Sequence, residues 1–249
     1  MISVKQEATN KENSSCIYLI DKKSKSKDFD PQFSHSIAGI IAGTKKFDYL
    51  RLSNSFVFFV FDDQKPEELR VIGSRIHDMI CADCEVISIS GKSKNSCFLA
   101  EGIALTNYQF LKYLSKPKKH TLTEIILSDE VEKEKIDELN DTIKAVFWAR
   151  DAVNTPVSDL NALQLAEAVV KLGEEANFQV QVLEKTQIES LKMGGLLAVN
   201  KGSVDPPTFT IAEYKHKKAL NKKPIVLVGK GVVYDTGGLS LKPTPGSMD

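Results

Sequence analysis

Six consecutive apolar residues, Phe56-Val-Phe-Phe-Val-Phe61, constrain the fold of this chain more than any other stretch. A run so short, aromatic and β-branched predicts a buried strand, and a buried strand needs other layers to cover it. Pro66-Glu-Glu-Leu69 predicts a helix start, with proline in the first turn and acids at the positive end of the helix dipole. Leu69, Ile72, Ile76, Met79 and Ile80 continue that helix at helical spacing. Residues 84–90 alternate as a strand, residues 98–114 read as a helix, and residues 122–127 read as another strand. Strands and helices in alternation over residues 1–128 predict an α/β domain.

Residues 129–150 are charged and helical, with Asp129 and Glu130 suited to a helix start, and are expected to link two domains. The helix should end near Asn154-Thr155-Pro156, because Pro156 pushes Thr155 out of helical geometry. Residues 151–249 repeat the alternation: a helix at 161–175, a strand at 178–183, a short helix at 184–193, and strands at 209–214 and 225–228. Gly194-Gly195 is expected in a tight packing turn. The fold class is therefore α/β in both parts.

Electrostatics narrows the partners. The 33 basic and 33 acidic residues cancel, so bulk charge favours neither nucleic acid nor an anionic membrane surface. Lysine clusters at 21–28 and 215–223 are expected to be solvated faces. No apolar run approaches the roughly 18 residues of a membrane span. The N-terminus has no basic start followed by an apolar stretch, and four cysteines do not make a disulfide scaffold, so a cytoplasmic protein is expected. Cys81-Ala-Asp-Cys84 has the spacing of half a zinc knuckle, but no second pair follows, and the thiols are expected to be incidental. His35, His77, His120 and His216 are scattered along the chain and form no catalytic pattern.

The chemistry concentrates near the end. An apolar segment, Pro224-Ile-Val-Leu-Val-Gly229, runs into Lys230-Gly-Val-Val-Tyr-Asp235-Thr-Gly-Gly-Leu-Ser-Leu-Lys242. Ligands of open α/β sheets collect beyond the carboxyl ends of strands, and glycines there let the backbone approach a ligand. A carboxylate between two lysines suits a divalent cation with an electrophilic helper, since a nearby dication can hold a lysine amine neutral. The order of lysine and glycines excludes a P-loop, and no Gly-x-Gly-x-x-Gly opens a helix here.

Residues 228–242 resemble the active-site segment of the M17 leucyl aminopeptidase (cytosol aminopeptidase) family. Ala149-Arg-Asp-Ala-Val-Asn-Thr-Pro156 resembles the start of that family's catalytic domain. Met193-Gly-Gly-Leu-Leu-Ala-Val-Asn-Lys-Gly-Ser203 resembles its Gly-rich segment ahead of the metal site. The resemblance implies an N-terminal α/β domain over 1–128, a linker helix over 129–150 and the first part of a metallopeptidase catalytic domain over 151–249. It implies two divalent metals (Zn, Mn or Mg), held in part by Lys230 and by Asp235 as a bridge. Lys242 is the implied catalytic residue, stabilising the oxyanion at the peptide carbonyl. The implied reaction is hydrolysis of an N-terminal, leucine-like residue from peptides by a cytoplasmic homohexamer.

By the same resemblance the remaining carboxylate ligands lie beyond Asp249, and the 249 residues alone are expected to be inactive, truncated within the catalytic domain. The alternative is a non-enzymatic binding or regulatory fragment of that family. Members that bind DNA are known, but the neutral charge gives nucleic acid no support here.

Overall fold

The computed structural model describes residues 2–7, 15–25, 29–53, 55–91, 95–127 and 131–233, together with residues 243 and 245. The chain divides into two compact units, Met1–Arg150 and Asp151–Asp249. Among the described residues no helix is long and apolar enough to cross a membrane.

The first unit is built on a six-stranded sheet. Its strands are β1 (Ser3–Gln6), β2 (Ser15–Ile20), β3 (Phe47–Arg51), β4 (Phe56–Phe61), β5 (Val86–Ser90) and β6 (Glu124–Leu127). They lie in the order β1-β6-β5-β2-β4-β3. All neighbours are parallel except the edge pair β3 and β4, which is antiparallel. The apolar run is thus β4, one place in from the edge, and its alternate residues bury into two different cores.

On one face Phe58 and Val60 join Ile17, Ile87, Ile89, Ile125 and Leu127. That face is covered by α2 (Pro66–Ile80), α3 (Asn95–Thr106) and α4 (Lys133–Asn154), through residues such as Leu69, Ile76, Leu99, Ile103, Ile143 and Phe147. On the other face Val57 and Phe59 meet Cys16, Ile20 and Phe33. The helix α1 (Ser34–Ile41) closes that side with Ile37 and Ile40. Burial on both faces is why β4 carries no polar alternation.

The helix starts follow local chemistry. Lys65 precedes Pro66, and the Glu68 carboxylate accepts from the Lys65 backbone N–H at 3.2 Å, closing the first turn. Helix α3 ends at Thr106, earlier than the expected 114, because Asn107 leaves the helix to bond elsewhere: its Nδ2 donates to Leu122 O at 3.0 Å. Helix α4 ends at Asn154, with Thr155 N–H donating back to Asp151 O at 3.0 Å before Pro156. Its apolar residues Ile136, Leu139, Ile143 and Phe147 belong to the core of the first unit. The acids expected at its start, Asp129 and Glu130, lie outside the described residues.

The second unit contains α5 (Ala162–Ala176), β7 (Gln179–Leu183), α6 (Lys185–Ser190), α7 (Gly194–Asn200) and β8 (Phe209–Glu213). Asn161 caps α5: its Oδ1 accepts from Gln164 N–H at 3.0 Å, and Gln164 Oε1 accepts from Asn161 N–H at 2.8 Å. Asn177 ends α5 in the left-handed region at φ 56°. Strands β7 and β8 pair antiparallel, Gln179 opposite Glu213 and Leu183 opposite Phe209.

Two sequence expectations are corrected here. Residues 225–228 form no strand. Ile225, Val226, Leu227 and Val228 are 82%, 73%, 91% and 92% exposed, and the sheet of this unit contains only β7 and β8 among the described residues. An apolar strand gains from burial on both faces and from a paired neighbour; the described residues offer this segment neither. The glycines at 194 and 195 do not mark close packing. They open α7, and nothing lies within 4 Å of where their Cβ atoms would be. The turn comes just before them, at Lys192, with φ 56°.

Candidate functional site

Three segments converge on the site in sequence, and the structure treats them differently. The first, Ala149–Pro156, begins at the end of the Met1–Arg150 unit, where Arg150 is held in place. Arg150 Nη1 donates to Leu105 O at 2.8 Å, and its guanidinium lies 3.9 Å above the Tyr108 ring. Tyr108 in turn meets Phe147 edge-on, with ring centroids 5.1 Å apart. The second segment is α7 and its flanks. Asn200 Nδ2 donates to Asp205 O at 2.9 Å and ties the turn that follows.

The third segment carries the candidate metal ligands. Lys230 lies exposed in irregular backbone between Gly229 and Gly231. A Cβ at Gly229 would meet nothing within 4 Å, and one at Gly231 would come no closer than 3.9 Å to Leu165 Cδ2. Neither glycine is therefore required by close packing among the described residues. Asp235 and Lys242 lie outside the described residues.

The described part of the segment therefore presents one amine, Lys230. A pair of dications needs several oxygen or nitrogen donors around each ion. The described residues do not assemble that set.

Elsewhere the fold does gather ligand-type side chains. His77, Cys81 and His120, distant in sequence, bring their ligand atoms within 4.8 Å of one another. Of the four histidines, scattered in sequence, the return of the chain at His120 to the end of α2 brings two together, His77 and His120. Burial, with His77 beside it, holds His120 below the usual imidazole pKa. All four cysteines are free thiols, so Cys81 and Cys84 form no disulfide. Cys84 turns away and donates from Sγ to Val86 O at 3.0 Å. The readable signal is His77 and Cys81 at i and i+4, one face of a helix end; His120 carries none.

Comparison with known proteins bears on the part of the chain that carries these segments. Residues 147–249 match the cytosol aminopeptidase family, catalytic domain. A protein described as "Probable cytosol aminopeptidase" from Chlorobaculum parvum (strain DSM 263 / NCIMB 8327) is 56% identical over 98 residues, 39% of this chain and 19% of that protein. Another of the same description, from Persephonella marina (strain DSM 14350 / EX-H1), is 33% identical over 175 residues, 67% of this chain and 34% of that protein. The chain thus spans about a third or less of the length of these curated relatives.

Among solved structures, a tomato leucine aminopeptidase mutant superposes with a TM-score of 0.75 at 20% identity, covering 95% of this chain and 55% of that one. The bottromycin maturation enzyme BotP in complex with Mn gives a TM-score of 0.68 at 22% identity, covering 94% of this chain and 51% of that one. At these identities the superpositions speak to the fold alone.

Proposed function

Through residues 147–249 the chain belongs to the M17 cytosol aminopeptidase family, and from that premise we propose that it supplies one side of a metal-dependent aminopeptidase site. The observation that carries this reading is the match over residues 147–249, the range in which Lys230, Asp235 and Lys242 lie. In this reading Lys230 and Asp235 hold divalent metal, and Lys242 faces the oxyanion that develops at the scissile carbonyl. A fixed cation aimed at developing negative charge is usually a large catalytic contribution. Metal, when bound, supplies Lewis acidity and an activated water.

The substrate is the N-terminal residue of a peptide, leucine-like by preference, and the parent assembly is a cytoplasmic homohexamer. The named relatives support the aminopeptidase class. The manganese complex of BotP supports a divalent metal without choosing which.

Two donors do not complete a two-metal site. The 249-residue polypeptide is therefore expected to release no leucine from leucyl peptides in Zn²⁺ or Mn²⁺. The same residues joined in register to the downstream part of the Chlorobaculum parvum relative are expected to do so, with loss of activity to a chelator. A folded fusion that binds metal and still hydrolyses nothing would defeat the proposal; so would robust hydrolysis by the 249 residues alone.

A further inference from the structure

We propose that His77, Cys81 and His120 form a transition-metal site in the Met1–Arg150 unit, suited to zinc and separate from the segment at Lys230. His77 and Cys81 come from the end of α2, one helical turn apart, and His120 from the irregular stretch that enters β6. Their ligand atoms lie within 4.8 Å of one another, and the two imidazole rings have centroids 4.9 Å apart at 63°. Zinc bonds of about 2.0–2.3 Å set tetrahedral edges of roughly 3.3–3.6 Å. Side-chain rotations that shorten the widest separation by about 1.2–1.5 Å therefore close the site.

The surroundings already orient the rings. Asn107 Nδ2 donates to Leu122 O at 3.0 Å, which makes Asn107 Oδ1 an acceptor. That oxygen stands 3.0 Å from His77 Nε2 and accepts a hydrogen bond from its N–H, so a neutral His77 presents its lone pair at Nδ1. The backbone of Asn107 also hydrogen-bonds the His120 ring. His120 Nδ1 is buried and has no hydrogen-bond partner. A buried ring nitrogen without a partner is uncommon in folded proteins, and a metal ion would satisfy it. One residue thus fixes both imidazoles, the role that outer-sphere partners play around metal-bound histidine.

Ligand chemistry selects the ion. Two imidazoles and a thiolate favour zinc-like metals over magnesium or calcium, which prefer oxygen. Three protein ligands leave a fourth position for water or for Asp78, whose Oδ1 lies 3.5 Å from His77 Nδ1. Binding would pin residues 107–123, which form neither helix nor strand, to the end of α2. Thr121 already begins that attachment, its N–H donating to Cys81 O at 2.8 Å and its Oγ1 lying 3.0 Å from both Cys81 O and Cys84 O. Long irregular connections of this kind commonly carry function.

The test uses cobalt(II) alone as a spectroscopic probe on the full chain, with Lys230→Ala and Asp235→Ala present to exclude the other segment. The expected result is one equivalent bound, a thiolate-to-metal band in the near ultraviolet, and displacement by zinc. Cys81→Ser should abolish the band, His120→Gln should weaken binding at least tenfold, and Cys84→Ser should change neither. Cys81 and His120 are only partly buried, and far-ultraviolet circular dichroism of the metal-free variants checks that each folds; either one alone decides the matter. No band at millimolar cobalt, or a band that survives Cys81→Ser, overturns the site.

Discussion

Gly73 and Gly102 meet where α2 crosses α3, so closely that a Cβ on Gly73 would stand 3.2 Å from the Cα of Gly102. A Cβ on Gly102 would run into the Arg70 backbone. The two helices approach backbone to backbone, and flanking side chains hold the crossing. Arg70 Nε donates to Glu101 Oε2 at 2.8 Å, and its guanidinium lies 5.0 Å above the Phe98 ring.

Gly102→Ala is therefore expected to destabilise. In an open helix this change stabilises by up to about 1 kcal/mol. Here overpacking against immovable backbone should reverse the sign and cost about 1–3 kcal/mol. Urea unfolding of the parent and the variant measures it; a variant more stable than the parent would contradict the close crossing.

Asp48 gives a pH prediction. Partial burial raises its pKa, but the lowering effects of Lys45, the Ser36 hydroxyl and the Tyr49 N–H together outweigh burial and leave it below the usual carboxylate value. The Lys45 amine lies 2.9 Å from its Oδ2. A depressed carboxylate binds its proton less readily folded than unfolded, so its stabilisation is complete above the ordinary value of 3.8 and disappears as pH falls through the folded value. Asp48→Asn should then be less stable than the parent near neutral pH, with the gap closing in acid. Urea midpoints followed across that range provide the check, and a gap constant with pH would refute the assignment.

Lys242 and Asp235 should fail in different ways. In the fusion with the Chlorobaculum parvum downstream part, Asp235→Asn should lose bound metal along with activity. Lys242→Ala should keep the metal and lower kcat by about 10²–10³-fold, the usual cost of removing an oxyanion-directed group. Metal content by atomic absorption, read beside kcat, separates the two. Equal metal loss in both variants would make Lys242 a ligand and the assigned roles wrong.

Legibility in the sequence tracks locality. Strand β4 and helix α2 are readable because a run of apolar residues and a proline at a helix start act over a few positions. Helix α5 is readable from its apolar spacing and from Asn161 at its start. Strand β1, Ser-Val-Lys-Gln, is not, since only its register against β6 makes Val4 a core residue. Helix α1 and strand β3 escape for a similar reason, since the core on one face of the sheet gives Ile37, Ile40 and Leu50 their meaning; β2, Ser15–Ile20, is nearly as apolar as β4 and carries the same local signal. Apolar spacing overruns the end of α3 because the side chain of Asn107, not a proline or glycine, draws the chain away. At the candidate site the motif order is plain in the sequence, while the exposed state of residues 225–228 depends on what surrounds them. The His77, Cys81 and His120 cluster needs the return of a distant segment.

The pairing of β1 with β6 also sets a schedule for synthesis. Ser3 pairs with Glu124 and Gln6 with Leu127, while the Asn140 side chain accepts from Val4 N–H at 3.0 Å and donates to Val4 O at 2.9 Å. The strand made early thus has its partners made late. At about 5–20 residues per second on the ribosome, Ile2 and Val4 wait on the order of ten seconds for the surface that buries them. During that interval β2, β4 and β5 can pair among themselves, so the edge next to β6 is the last part of the sheet that can form on a growing chain.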